Sequence, residues 1–301
     1  MKLIDLQIKN YGKLLNDGDF NSLGYITHVP QKNKILSFAG NLDFYCKALE
    51  NKAISCLLIT EDLSKEIVLN VPKSLGILVC KNPMNTFFEL NKYLVENTNF
   101  YGQSNKSVIS PSANIHRTAS ISETNVTIGL NCIIEAGVVI HSNVNIGNNS
   151  IIRANTVIGS EGFEFKKINN QIESIPHSGG VLIGERVEIQ SLCAVDRGIF
   201  GANTIIGDDT KIDNMVHIAH GVVIGKRCML PACTMIAGAV QIGDDVWIDP
   251  ASSISHEVKI GSRAKITIGS VVTKDVISDQ KVAGNFAIDY QKFINFIKSI
   301  R

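Results

Sequence analysis

Aliphatic residues recur at every sixth position along much of the chain, and this spacing predicts its main element. They run from Ile109 to Ile121, from Ile128 to Ile158, from Ile183 to Val195 and from Ile206 to Val272. Gly often follows the aliphatic residue, and a small or β-branched residue follows four positions after it. A period of six is typical of a parallel β-helix, in which each hexad forms one short strand and one corner. Three hexads make one triangular coil, and successive coils stack about 4.8 Å apart.

The hexads divide the chain into three predicted parts. Residues 1–103 lack them and contain β-like runs at Ser55–Thr60 and Leu75–Val79, followed by a helix that Asn82 and Pro83 would begin. We therefore predict a mostly β protein with a small α/β domain at 1–103, a β-helix of hexapeptide repeats at 108–278 and a short amphipathic helix at 285–301.

Aromatic residues repeat at helical spacing near the end of the chain, at Phe286, Tyr290 and Phe293. Such a helix would pack on the end of the β-helix or on equivalent helices of an oligomer. A position on a membrane surface is a second interpretation, although its polar face carries few basic residues.

Composition fits a narrow prism and excludes several classes of protein. Hydrophobic residues make up 45% of the chain but aromatic residues only 6%, as an interior filled by Ile, Val and Leu requires. The net charge of +1 argues against a nucleic-acid-binding surface. No apolar run reaches the roughly 20 residues of a membrane span, and no signal peptide is apparent. Seven irregularly spaced Cys indicate buried thiols in a reducing cytoplasm.

Three residues at intervals of one coil form a candidate catalytic column. His220, Gly238 and His256 each lie two residues after a hexad aliphatic residue. His220 could act as a general base, and the Gly238 amide could donate to an oxyanion. Asp213 follows the preceding hexad aliphatic residue, and we expect its carboxylate to orient His220. Two loops interrupt the hexads, at Ser160–Val181 and Arg197–Thr204, where sites on solenoids tend to lie.

The same histidines allow other interpretations. His217, His220 and His256 could together hold zinc, although we expect no metal. His177 and His217 could be bystanders. A β-helix can also bind or scaffold without catalysis, because a fold does not imply chemistry.

Several segments resemble one known family, the UDP-3-O-acylglucosamine N-acyltransferases. The similar segments are Gly159–Phe165, Ile175–Gly180, Val195–Gly198 and, most specifically, Lys211–His220. The resemblance implies a left-handed β-helix, a homotrimer and a cytoplasmic enzyme of lipid A biosynthesis. It implies transfer of a 3-hydroxyacyl chain from acyl carrier protein to the amine of a UDP-3-O-acylglucosamine, with an acyl thioester as co-substrate and no bound cofactor.

The resemblance also implies roles for individual residues. His220 would be the catalytic base, Asp213 its carboxylate partner and Gly238 the oxyanion-hole glycine. Ser37–Phe44 is similar to the family's uridine-binding segment, in which Phe38 and Phe44 would stack on uracil and Asn41 would contact it. Asn214 and His256 would complete the substrate-binding set.

The chain departs from the family pattern in places that bear on its substrates. Glu257 stands where the family has its second histidine, and His256 lies one position earlier. Phe44 replaces a usual Tyr, and the C-terminal helix is short. Gly284–Ala287 is similar to the ending of CoA-dependent sugar acetyltransferases. The alternative is therefore a CoA-dependent N-acyltransferase that acts on another nucleotide-linked amino sugar for surface polysaccharide.

Overall fold

Short parallel strands stacked on three flat faces dominate the computed structural model, which describes residues 1–67, 71–168, 170–284 and 287–300. Each strand pairs with the strand one coil later, so that Ile218 pairs with Ile236 and Ile254 with Val272. The offset of 18 residues in both pairs confirms the predicted triangular coil. The three faces form a prism, and we number them in the order in which each coil visits them.

Each face of the prism is one parallel sheet. Face one consists of Val108–Ile109, Val126–Ile128, Val144–Ile146, Gly180–Ile183, Asn203–Ile206, Val223–Ile224, Gln241–Ile242 and Lys259–Ile260. Face two consists of Asn114–Ile115, Ile133–Ile134, Ile151–Ile152, Glu188–Ile189, Lys211–Ile212, Met229–Leu230, Trp247–Ile248, Lys265–Ile266 and Lys281–Val282. Face three consists of Ser120–Ile121, Val139–Ile140, Val157–Ser160, Ala194–Asp196, His217–Ile218, Met235–Ile236, Ser253–Ile254 and Val271–Val272.

The interior of the prism is filled by the hexad aliphatic residues and by the small residues that follow them. Both sets belong to one buried cluster that extends from Val126 to Val276. Each fully buried aliphatic side chain contributes about 1.5–3 kcal/mol relative to exposure. Cys132, Cys193 and Cys228 occupy small inward positions, and each thiol donates to a backbone carbonyl oxygen of the next coil at 3.0–3.1 Å. Among the described residues, this buried cluster contains no aromatic side chain.

Most corners of the prism contain one non-glycine residue in the left-handed backbone region. Asn149 has φ 58°, Arg227 φ 56° and Ala251 φ 57°. Asn tolerates this conformation better than most residues, and it occupies most of these positions in the early coils. Asn side chains of adjacent coils also bond to each other, as Asn125 Nδ2 donates to Asn143 Oδ1 at 3.0 Å.

A five-stranded sheet covered by helices forms the N-terminal unit. Its strands are β1 (Lys13–Asn16), β2 (Ser22–Leu23), β3 (Ile35–Ala39), β4 (Ile54–Ile59) and β5 (Gly76–Val79), in the order β1-β5-β4-β3-β2, with β1 antiparallel to β5. Its helices are α1 (Leu3–Ile8), α2 (Leu42–Glu50), α3 (Glu61–Ile67) and α4 (Pro83–Asn97). The Asn82 side chain accepts from the Asn85 amide, and Phe87, Leu90 and Leu94 are buried. The helix predicted from Asn82-Pro83 is thus confirmed.

Both loops that interrupt the hexads leave the prism at the corner between face three and face one. The strands continue in register across them, since Val144 pairs with Val181 and Ile158 with Val195. The first loop contains a hairpin of Phe165–Ile168 with Gln171–Ser174. Four of the loops' apolar side chains belong to the core of the N-terminal unit: Ile168, Ile175, Ile199 and Phe200. The N-terminal unit therefore rests on this corner of the prism.

The last helix, α5 (Tyr290–Ser299), is shorter than the predicted 285–301, and Phe286 lies outside the described residues. Asp289 caps it by accepting from the Lys292 amide, and none of its residues is buried. Among the described residues, no helix combines the length and the apolar character that crossing a membrane requires.

Candidate active site

The corner between face three and face one holds the predicted column of His220, Gly238 and His256. The His220 ring is buried, with only 6% of the residue exposed, and Gly238 packs directly against it. A Cβ atom at Gly238 would lie 2.7 Å from His220 Cε1 and 2.9 Å from Nε2. The space for this imidazole therefore depends on the absence of a side chain one coil later.

His220 is uncharged at neutral pH. Burial lowers its pKa to about 4, and the histidines His177, His28 and His256 add to the lowering, while the Glu164 carboxylate opposes it. Its Nδ1 is buried and has no hydrogen-bond partner in the described part of the chain. A neutral imidazole with an unengaged nitrogen can accept a proton, as a general base must.

Glu164 is the carboxylate that the single chain brings to His220. Its Oε2 lies 3.6 Å from His220 Nε2, and its Oε1 accepts from the Tyr25 hydroxyl at 2.8 Å and from Lys166 Nζ at 2.8 Å. Burial alone would raise the pKa of Glu164, but the hydrogen bonds from Lys166 and Tyr25 outweigh it and lower that pKa. Glu164 is therefore an ionised, fixed carboxylate beside the imidazole.

Asp213, which we expected to orient His220, lies at a different corner of the prism. It follows a strand of face two and so stands at the corner between face two and face three, whereas His220 follows a strand of face three. Its Oδ1 accepts from the amide and side chain of Asn214, both at 2.7 Å. Within one chain the two residues stand at different corners, because the coil turns by one corner between them, and their pairing stays a prediction. Asn214, the next residue, lies at the same corner between face two and face three, away from His220 of its own chain.

The other histidines near this corner have separate partners. His177 Nδ1 donates to the Ile175 carbonyl at 2.9 Å and its Nε2 accepts from the Gly162 amide at 3.2 Å, which fixes a neutral tautomer. Burial lowers its pKa. His217 Nε2 bonds to Asp196 Oδ2 at 3.0 Å, and this hydrogen bond raises its pKa. Among the described residues, His217, His220 and His256 do not bring their ligand atoms together as the zinc interpretation requires.

A cavity of about 640 Å³ lies between the N-terminal unit and the prism. Its lining includes Phe38, Asn41 and Phe44 from the predicted uridine segment, together with His256 and Glu164. Phe38 packs against Phe87 with ring centroids 5.0 Å apart, whereas Phe44 is 42% exposed. Asn41 caps α2 through Oδ1, which accepts from the Phe44 amide at 3.0 Å. Its side-chain nitrogen is thereby left to donate.

Several site residues were not found by sequence reasoning. Glu164 lies within the Gly159–Phe165 segment. The sequence signal that could have identified it is that this loop leaves the prism at the corner that also holds His220. Tyr25, His28 and Lys166 line the same 640 Å³ cavity. Nothing in their spacing marks them, because the N-terminal unit reaches the prism only through tertiary contacts.

Comparison with known families agrees with the repeat. The model for "Bacterial transferase hexapeptide (six repeats)" matches residues 125–160 and 203–238. Among solved structures, UDP-N-acetylglucosamine acyltransferase from Campylobacter jejuni is similar over 64% of this chain and 82% of its own, with 24% identity and a TM-score of 0.49.

Among curated proteins, UDP-3-O-acylglucosamine N-acyltransferase 2 of Legionella pneumophila (strain Paris) is 34% identical over 298 residues, covering 85% of this chain and 80% of its own. The protein of the same name from Legionella pneumophila subsp. pneumophila (strain Philadelphia 1) is 50% identical over 145 residues, which cover 47% of this chain and 42% of that protein. UDP-3-O-acylglucosamine N-acyltransferase 1 of Francisella tularensis subsp. holarctica (strain OSU18) is 34% identical over 211 residues, which cover 62% of this chain and 60% of that protein. The last two alignments thus span less than two thirds of those relatives.

Proposed function

The chain belongs to the UDP-3-O-acylglucosamine N-acyltransferase family, and from that premise we propose that it acylates the amine of a UDP-3-O-acylglucosamine in lipid A biosynthesis. The observation that carries the proposal is a neutral, buried His220 at the corner where the N-terminal unit meets the prism. The adjoining cavity is large enough for a nucleotide sugar and has aromatic side chains on one wall.

The reaction requires four contributions from the chain. The amine nitrogen attacks the thioester carbon, an N–C bond forms, and His220 takes the proton that the nitrogen loses. The Gly238 amide, which donates to no residue in the described part of the chain, would stabilise the negative oxygen of the tetrahedral intermediate. When the C–S bond breaks, the imidazolium returns its proton to the leaving thiolate. Glu164 stabilises the imidazolium between these steps.

The nucleotide would bind in the cavity beside the N-terminal unit. Uracil would stack between Phe38 and Phe44, and the Asn41 side-chain nitrogen would donate to it. His256 lines the other side of the cavity and would face the diphosphate or the sugar.

Exposed apolar side chains support a homotrimer. Five of them surround the corner between face two and face three: Leu192 (58% exposed), Met215 (54%), Met229 (37%), Met235 (39%) and Trp247 (45%). A cyclic trimer joins two different surfaces of each subunit, so this corner would cover face three of a neighbour. Asp213 and Asn214 lie at that corner, and in this assembly they would reach a neighbouring subunit's His220 site.

The acyl donor is proposed to be acyl carrier protein in the cytoplasm, with CoA as the alternative. The similarity of Gly284–Ala287 to CoA-dependent enzymes falls partly on Asn285 and Phe286, which lie outside the described residues. The exposed aromatic residues of α5, including Phe293 and Phe296, offer an apolar surface to a protein donor.

Acyl transfer measured with both donors tests the proposal. We expect the purified chain to N-acylate a UDP-3-O-acylglucosamine and to prefer 3-hydroxyacyl-acyl carrier protein over the same acyl group on CoA. His220→Ala should lower kcat by roughly 10²–10⁴-fold, the usual contribution of a general base. Full transfer by His220→Ala, or no binding of the nucleotide sugar by the parent chain, would refute the proposal.

A further inference from the structure

A second cluster of polar side chains lies at the edge of the same cavity, where the N-terminal unit meets the prism. His28 follows β2, whereas His256 and Glu257 belong to the corner after face three. One ligand-type atom from each residue lies within 4.8 Å of the other two. The acyl transfer proposed above does not require these three groups to meet, so their proximity needs another explanation.

Two distances within this cluster are close to those between ligands of a tetrahedral metal ion, and the atoms of the third pair lie within 4.8 Å. Glu257 Oε1 is 3.2 Å from His28 Nε2 and 3.7 Å from His256 Nε2. Zinc binds nitrogen and carboxylate oxygen at about 2.0–2.2 Å, so two of its tetrahedral ligands stand about 3.4 Å apart. We propose that His28, His256 and Glu257 bind a divalent transition-metal ion, with Zn²⁺ the best fit to two imidazoles and one carboxylate.

Burial and hydrogen bonding at the cluster support the proposal. His28 Nε2 is buried, and its contact with Glu257 Oε1 at 3.2 Å is an ion pair without the geometry of a hydrogen bond. A buried polar atom that forms no hydrogen bond is unfavourable. A metal ion would satisfy this nitrogen. The His256 side chain is 52% exposed, so it can rotate toward an incoming ion. Thr27 Oγ1 donates to Glu257 Oε1 at 2.6 Å, the type of outer-sphere contact that orients a carboxylate ligand.

The arrangement also indicates what the ion would do. One ligand comes from the N-terminal unit and two from the prism, so the ion would join the two parts of the chain. Three protein ligands leave a coordination position open, which is typical of sites that bind water or substrate. Because all three residues line the 640 Å³ cavity, an oxygen anion such as a phosphate could take that position. The metal site stands independently of the proposed acyl transfer.

Metal binding by the full chain tests the proposal. After removal of metal with a chelator, Zn²⁺ is titrated in competition with a chromogenic chelator, and Co²⁺ is added separately to record its visible spectrum. We expect one equivalent of Zn²⁺ per chain and Co²⁺ bands typical of tetrahedral coordination. Glu257→Gln and His256→Gln should each weaken binding at least about tenfold, the lower bound for loss of an outer-sphere contact. Thr27→Val should weaken it by roughly 10–100-fold.

His116→Gln is the matched control, because His116 is an exposed imidazole that bonds only locally, to Thr118. It should bind Zn²⁺ as tightly as the parent chain. Thermal unfolding of each metal-free variant shows whether it is folded, and exposed His256 provides a decisive variant if His28→Gln is not. Equal Zn²⁺ affinity in the parent chain and His256→Gln would overturn the proposal, as would failure of the parent chain to bind.

Discussion

Burial keeps His220 uncharged, and this charge state decides the pH range in which it can accept a proton. With a pKa of about 4, the imidazole is neutral throughout the physiological range. Forming the imidazolium during transfer is costly in the same buried position, and Glu164 is the negative group that offsets this cost. In the proposed transfer the two residues would therefore act as a pair, although they come from the prism and from an inserted loop.

Removing the Glu164 charge should change both the rate and its pH dependence. Because Glu164 raises the pKa of His220, Glu164→Gln should move the acid limb of kcat/KM to lower pH. At neutral pH, kcat/KM should also fall, by less than the roughly 10²–10⁴-fold that a general base contributes in full. The measurement is kcat/KM for both chains at pH values on both sides of 4, over the range in which each stays folded. An acid limb displaced upward in the variant would contradict the pairing.

Gly238 offers a second test at a single residue. Gly238→Ala should displace the His220 ring, because the new Cβ would lie 2.7 Å from it, and kcat should fall while thermal stability changes little. Gly269→Ala is the control, since Gly269 has φ +65° and no atom within 4 Å of an added Cβ. It should cost about 1–2 kcal/mol of stability and leave kcat unchanged. Equal effects of the two variants on kcat would disprove the role of Gly238.

The corners are the strained parts of the repeating element. Non-glycine residues in the left-handed region cost about 1–2 kcal/mol each, and the strand ladders and buried aliphatic residues hold them in place. The strain is tolerated because these corner residues are tied to an adjacent coil by hydrogen bonds, such as that from Ala251 N–H to the Ala232 carbonyl at 3.0 Å.

Relieving the strain at one corner should stabilise the prism. Ala251 is exposed and has φ 57°, so Ala251→Gly should raise the midpoint of thermal unfolding by up to about 2 °C. Ala136→Gly, at a corner residue outside the left-handed region, should lower it because glycine gains freedom in the unfolded chain. Calorimetry on both variants compares them directly. A lower midpoint for Ala251→Gly would show that the corner is not strained.

Periodicity explains which elements could be predicted. The strands and corners of the prism repeat with one period, so every coil supports the same prediction. The alignment of His220, Gly238 and His256 in one column followed from their spacing of 18 residues. The N-terminal strands β1 to β3 and helices α1 to α3 were missed because short elements without a repeat leave weak signals. The contact of Glu164 with His220 depends on the path of a loop, which no local pattern encodes.

At the scale of the whole molecule, the proposed homotrimer allows mixed assemblies of two variants to show which carboxylate serves His220. Asp213 could reach this site only from a neighbouring subunit, whereas Glu164 is in the same chain. Coexpressed Asp213→Asn and His220→Ala chains should therefore recover activity, in about one quarter of sites for random mixing in a cyclic trimer. Glu164→Gln with His220→Ala should not recover. Absence of recovery with Asp213→Asn would remove Asp213 from the site.

The placement of both loops at one corner has an evolutionary consequence. The ladder runs uninterrupted past them, with Val144 still opposite Val181. Lengthening such a loop costs only about 0.6 kcal/mol per doubling, so the solenoid can accept a new loop without losing its own stability. Changes in these loops could therefore alter the cavity, including Glu164, while the strands that position His220, Gly238 and His256 keep their pairing.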